Sequence, residues 1–200
     1  PISGIFFGSA IGQVQIDQAG NCVFVGSGSN ISIPPLHFPA NELRTGFLAM
    51  INSAGVPQVL KVYDMRSVDS IDCGGLPTDF SRCWISGENI DNAPVLARLN
   101  TNFDINDLFF GTNIETTFSF KIVFSSIAGR LAGAFSTGAV ENGQWFNRPI
   151  QVPSAGNLFP GAMFAFQLNL ANTQCNSAQL CAPGENCCAF GRMSDSLSAW

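Results

Sequence analysis

Hydrophobic alternation with a period of two constrains this chain more than any other feature. Phe118, Phe120, Ile122 and Phe124 alternate with Ser119, Lys121 and Val123, and Phe164, Phe166, Leu168 and Leu170 alternate with Ala165, Gln167 and Asn169. Successive side chains of an extended backbone point to opposite faces, so such segments predict strands with one apolar face and one more polar face. Val14 and Ile16 do the same among Gln13, Gln15 and Asp17. Less regular apolar runs at Cys22–Val25, Phe47–Ile51, Gln58–Tyr63 and Val95–Leu99 predict further strands. Turn chemistry separates them at Gln18–Asn21, Asn52–Pro57, Glu141–Gly143 and Pro153–Gly156. Helical candidates at Asn41–Met50 and Ser125–Phe135 each contain glycine, at about 1 kcal/mol per residue against alanine. Residues 125–129 therefore read as a turn and 130–136 as a strand. The expected fold is all-β, an antiparallel jelly roll or β-sandwich.

Composition sets the class. Of 200 residues, 46% are hydrophobic and 12% charged, and the net charge is −5. That is too apolar and too weakly charged for a disordered chain. Without a basic cluster, a surface that tracks nucleic-acid phosphates is not expected. No apolar run reaches the ~18 residues of a membrane helix. A single histidine excludes multi-histidine metal sites within one chain.

The seven cysteines are Cys22, Cys73, Cys83, Cys175, Cys181, Cys187 and Cys188. The run C-x5-C-x5-CC near the end resembles in spacing the first half of a knottin framework, whose remaining cysteines do not follow. Thiols that close together, among Gly, Pro and Asn, read as a disulfide-pinned tail of a secreted protein rather than a zinc site. Cys73 is expected to pair with Cys83 across a short loop holding Gly74-Gly75 and Pro77. The tail cysteines would bond among themselves or reach Cys22. An odd count leaves one thiol over, either a buried Cys22 or a link between subunits. Few lysines, many Ser, Thr, Asn and Gln, and an absent initiator Met give the expectation of an exported, trimmed product. Asn30 opens the one N-glycosylation sequon, in a loop-like Gly26–Ser29 context.

The expected organisation is an N-terminal apolar arm at 1–16, a β-domain at 17–171 and a cysteine-rich tail at 172–200. The arm carries no charged residue. It is expected to pack on its own sheet or to complete a neighbour's sheet by strand addition, with Ile2, Ile5, Phe7, Val14 and Ile16 filling pockets. Trp200 would add an assembly contact. A short membrane-inserting arm is disfavoured, because Gly4–Ala10 has no flanking basic residues.

Catalytic chemistry is not legible. His37 lies in the stiff Pro34-Pro35-Leu36-His37-Phe38-Pro39 segment with no nameable partner, and neither a nucleophile elbow nor a phosphate loop occurs. Asp64, Asp69, Asp72, Asp79, Glu88 and Asp91 cluster without a spacing that selects a catalytic pair. No cofactor is called for and no enzyme is expected. Asn102, Asp104, Asn106 and Asp107 offer oxygen ligands for calcium, or else cap a turn. Tyr63, Trp84 and Trp145 are the aromatics eligible for stacking on a sugar, and Trp145 has Asn147 and Arg148 beside it. The sequence thus leads to a structural subunit of an extracellular fibre or surface layer whose partner is another copy of itself. A secreted carbohydrate-binding module is the alternative. A capsid-type jelly roll is disfavoured for want of a basic arm.

Overall fold

A computed structural model describes residues 5–7, 10–37, 45–74, 80–114, 120–125, 129–137, 140–146, 148–152, 162–169 and 174–181. All regular structure there is antiparallel β apart from one 3-10 turn at Phe80–Arg82. The first strands are β1 (Ile5–Phe7), β2 (Ala10–Ile16), β3 (Cys22–Gly28), β4 (Asn30–Ile33), β5 (Leu36–His37), β6 (Thr45–Ile51) and β7 (Pro57–Tyr63). Next come β8 (Ser67–Asp72), β9 (Trp84–Glu88), β10 (Pro94–Leu99) and β11 (Ile105–Phe110). The last are β12 (Lys121–Ser125), β13 (Arg130–Thr137), β14 (Val140–Trp145), β15 (Arg148–Val152), β16 (Ala162–Asn169) and β17 (Gln174–Cys181).

Three four-stranded sheets run in the orders β2-β3-β6-β7, β11-β10-β9-β8 and β12-β13-β16-β17. A three-stranded sheet, β1-β4-β5, and the β14–β15 hairpin complete the set. The all-β expectation holds; the β8–β11 sheet is a meander, and the other multi-stranded sheets join strands that are not consecutive, as at β3-β6, β13-β16 and β1-β4. The stretch beyond Asn172, expected as a separate tail, begins as β17, paired along β16 from Met163–Cys181 to Asn169–Gln174.

The sheets are stacked, with a separate core in each gap. Between β2-β3-β6-β7 and β8–β11 lie Val23, Val25, Leu48, Val68, Ile71, Ile85, Val95, Ala97 and Leu99. The opposite face of β3 and β6 puts Phe24, Phe47, Ala49 and Ile51 against Ile31 and Ile33 of β4. The far face of β9–β10 puts Trp84 and Leu96 against Phe120, Ile122, Leu131, Phe135, Trp145, Phe166 and Leu168. Strands β3, β6, β9 and β10 are therefore buried on both faces. For this reason their sequences are continuous apolar runs rather than alternating ones.

One turn design closes four hairpins. At Asp17–Asn21, Asn52–Val56, Asn89–Ala93 and Asn100–Asp104 the first residue's backbone N–H donates to the fifth residue's carbonyl, and its own carbonyl accepts from the fourth. In the last three loops the first residue's Oδ1 accepts two further N–H groups, as at Asn52, where Ala54 and Val56 donate at 3.1 and 2.9 Å. The fourth residue is left-handed in every case: Gly20 (φ 80°), Gly55 (79°), Asn92 (61°) and Phe103 (60°). An Asx residue followed three positions later by Gly or Asn signals this turn in sequence. Phe103 departs from that signal. Its ring is held in the core, and its carbonyl accepts a 2.8 Å hydrogen bond from the buried Tyr63 hydroxyl.

That hydroxyl makes a measurable prediction. Burial, and then the charge of Asp104, hold the Tyr63 pKa well above its ordinary value. The unfolded chain releases this proton near pH 10 while the folded chain retains it. Tyr63 thus stabilises the fold below pH 10, and its contribution is lost as pH rises beyond that. Lys121 acts in the opposite direction, because burial lowers its pKa despite the nearby Asp69. Tyr63 is the sole tyrosine of the chain, so ultraviolet absorbance reads it alone. Phenolate absorbance is expected well above pH 10 in the native protein and near pH 10 in urea. Superimposable titrations in the two states would refute the assignment.

Candidate functional site

The residues named from sequence do not converge on one place. Trp145, the foremost sugar-stacking candidate, is fully buried. Its ring lies 5.1–5.5 Å from those of Phe120, Phe135, Phe146 and Phe166, which corrects the expectation of an exposed platform. The signal was present, because Asn142 and Gln144 are exposed while Gly143 and Trp145 alternate inward. Trp84 and Tyr63 are buried as well. Asn147 lies outside the described residues, and only the backbone of Arg148 is described, opposite Trp145.

The calcium candidates are already engaged. Asp104 bonds Lys61 at 2.6 Å, and that hydrogen bond above all holds its carboxyl below the usual range. Asp107 lies 3.6 Å from Arg98, and Asn106 donates to Asp107 at 2.9 Å. Asn102 donates its backbone N–H to Asn100, as the turn reading requires. Among the described residues, no group of three or more His, Cys, Asp or Glu is placed to hold a metal ion.

Cys73 and Cys83 are joined by a disulfide, as expected. Cys22 is a free, half-buried thiol whose pKa burial raises. Cys175 and Cys181 sit on β17 opposite Leu168 and Met163, while Cys187 and Cys188 lie outside the described residues. Asn30 is the first residue of β4, opposite Phe7, and Gly26–Gly28 pair with β6, so the sequon follows a strand rather than a loop. His37 ends the two-residue β5, opposite Ser32.

Of the arm at 1–16, residues 5–7 and 10–16 are described, and both stretches pair within this chain's own sheets. Ile5 and Phe7 lie on β1, opposite Ser32 and Asn30 of β4, and β2 pairs with β3 from Ala10–Ser27 to Ile16–Cys22. Ile2 and Trp200 are outside the described residues. Gln13 and Gln15 face the neighbouring sheet, where Gln13 Oε1 accepts from Ser70 Oγ and Gln15 Oε1 accepts from the Cys73 N–H at 2.9 Å. From the other side, Lys121 Nζ donates to the carbonyls of Asp69 (2.7 Å) and Gly12 (3.3 Å). Gly12 makes this approach possible, because a Cβ there would lie 2.6 Å from the Asp69 carbonyl oxygen. The strand is therefore fixed with its polar side inward. Val14 and Ile16, expected to fill a neighbour's pockets, are exposed on the opposite side of the strand.

That orientation exposes a pattern. Of the large exposed apolar residues, Ile11, Val14 and Ile16 lie on β2, and Ile105, Leu108 and Phe110 lie on β11. Among the described residues both strands are sheet edges. Each carries a register shift, between Ile11 and Gln13 and across the Arg98–Leu99 pairing, that keeps its three side chains on one face. Ile11, Val14 and Ile16 stand opposite Gly26, Phe24 and Cys22, on the face covered elsewhere by β4. Ile105, Leu108 and Phe110 stand opposite Leu99, Ala97 and Val95, on the face covered elsewhere by β3, β6 and β7. Each stripe continues a core past the layer that covers it, with its side chains 37–61% exposed. β2 lies beside β8, at the far side of the β8–β11 sheet from β11.

No protein-family model matches the chain, and no curated protein matches its sequence. The functional reading therefore rests on these surfaces.

Proposed function

We propose that this protein is a structural subunit of an extracellular fibre or surface layer, assembled through its two apolar edges. The observation that carries the reading is the pair of three-residue stripes on β2 and β11. Exposed apolar edges invite pairing and natural sheets usually blunt them, so two of them on one chain mark contact surfaces. Their position on opposite sides of the stack matters. Contact between unlike edges is heterologous, so it repeats from subunit to subunit and generates an open row wherever the rotation does not close a ring. Strand addition then occurs at the outer edge of β2, within the N-terminal segment, without that strand leaving its own sheet. The 12% charged composition suits a surface meant to be covered by neighbours.

Lysine substitutions test this directly. Val14→Lys with Ile16→Lys blocks one edge; Leu108→Lys with Phe110→Lys blocks the other. Wild type is expected to form elongated particles in negative stain and a broad, concentration-dependent boundary in sedimentation. Each double variant is expected to be monomeric, and a mixture of the two to give dimers through the single intact pair of unlike edges. A wild type that stays monomeric at high concentration defeats the proposal, as do variants that polymerise like wild type.

A further inference from the structure

A groove of about 570 Å³ opens where β11 leaves its sheet, lined by Asn89, Asp91, Ala93, Phe110 and residues 111–114. We infer that it is a binding site for a neutral, hydroxyl-rich saccharide, with the Phe110 ring as the stacking surface and Asp91 and Asn113 as the hydroxyl-binding groups.

The chemistry follows from what the walls offer. Phe110 is the most exposed aromatic among the described residues, and a flat apolar ring beside polar groups suits the C–H face of a pyranose. The Asp91 carboxylate accepts from hydroxyls, and the Asn113 amide, whose Nδ2 reaches the Asn142 carbonyl at 3.5 Å, keeps its Oδ1 to accept and a second N–H to donate. The backbone holds these groups in place. Asn89 Oδ1 is committed to the N–H groups of Asp91 and Ala93, fixing the turn that carries Asp91. Thr112 exchanges two 2.9 Å backbone hydrogen bonds with Gln144, fixing the segment that carries Asn113. Asn113 is left-handed, at φ 53°, a conformation that asparagine tolerates better than most residues. Gly111 lets this segment lie against Pro94, because a Cβ there would come within 2.8 Å of the proline ring. The groove is thus preorganised, and its volume falls in the range of small-molecule sites. No lysine or arginine is among these lining residues while a carboxylate is, which disfavours sulfated, phosphorylated and uronic saccharides.

The inference goes beyond the assembly reading and shares only Phe110 with it. The test therefore uses the Val14→Lys/Ile16→Lys protein, whose β11 and groove are intact. That protein is screened on an array of neutral oligosaccharides, including glucan, mannan, galactan and chitin fragments and neutral glycopeptides, with sulfated and uronic oligosaccharides as the acidic arm. Binding to a neutral arm is expected, and which arm responds separates a polysaccharide from a protein-borne glycan. Phe110→Ala and Asp91→Ala, added singly, should each weaken it by about tenfold or more. Asn113→Gly keeps the backbone conformation and removes the amide, and should weaken it as well. Circular dichroism of each variant verifies folding. Absence of neutral binding, preference for the acidic arm, or binding unchanged in folded Phe110→Ala and Asp91→Ala overturns the assignment. None of these outcomes depends on whether the protein polymerises.

Discussion

Replacing Trp145 with alanine is expected to lower the unfolding free energy by about 3–5 kcal/mol, the usual cost of deleting a large aromatic from a closed core. The indole is fully buried, and four phenylalanine rings surround it. They come from the segment before β12, from β13, from the residue after β14, and from β16, so the cavity cannot collapse without moving several elements. Trp145→Phe should cost much less, under about 2 kcal/mol, for a second reason besides volume. Trp145 Nε1 is buried without a hydrogen-bond partner, and phenylalanine removes that unsatisfied donor. Urea denaturation of the two variants measures the contrast. Equal losses would show that the ring contacts, rather than the filled volume, are misassigned. A small loss for alanine would mean that this core is loosely packed.

The second large effect concerns the Cys73–Cys83 bond. Its cysteines are separated by only 10 positions, and loop-closure entropy gives about 2–3 kcal/mol for a loop of that size. Both sulfurs also belong to the core between β2-β3-β6-β7 and β8–β11, where Phe80 and Phe103 lie beside them. Cys73→Ala with Cys83→Ala therefore loses buried contact as well as the constraint, for an expected total of about 3–5 kcal/mol. Because the bond is buried, reductant should break it slowly in the native protein and quickly in urea. Thermal melts of wild type, of protein reduced in urea, and of the double variant measure both claims. A double variant as stable as wild type would contradict them. A reduction rate that urea does not change would contradict the burial of the bond.

What was legible in the sequence differs between fold and surface. Alternation correctly placed β16 and the inward Phe120, Ile122, Phe166 and Leu168, because that face meets a single core. It located β2 but not which of its faces turns inward, because that is decided by the glutamines of β2 meeting the Ser70 hydroxyl and the Cys73 N–H across the seam. A polar side chain turns inward when it satisfies amides that a sheet edge would otherwise leave unpaired. The stripe on β11 was harder to see. Ile105, Leu108 and Phe110 are spaced by three and then two, and only the irregular register puts them on one face. The polar neighbours of Trp145 made it a sugar-stacking candidate, although Glu141–Trp145 belong to a strand whose alternate residues point outward.

Local sequence signals were enough for the class of fold and one covalent link. Period-two patterning, β-branched and aromatic runs, and Asx-Gly turns are local signals, and local backbone geometry suffices to interpret them. The Cys73–Cys83 pairing is almost as local, since only a short loop separates its members. Which faces are buried was decided by the tertiary structure. Burial depends on how far one layer extends over the next, and that distance is set by contacts between residues remote in the chain, such as Gln13 with Ser70 and Lys121 with Gly12. For the same reason the two candidate contact surfaces, the overhanging edges and the groove at Phe110, appear only once the sheets are stacked.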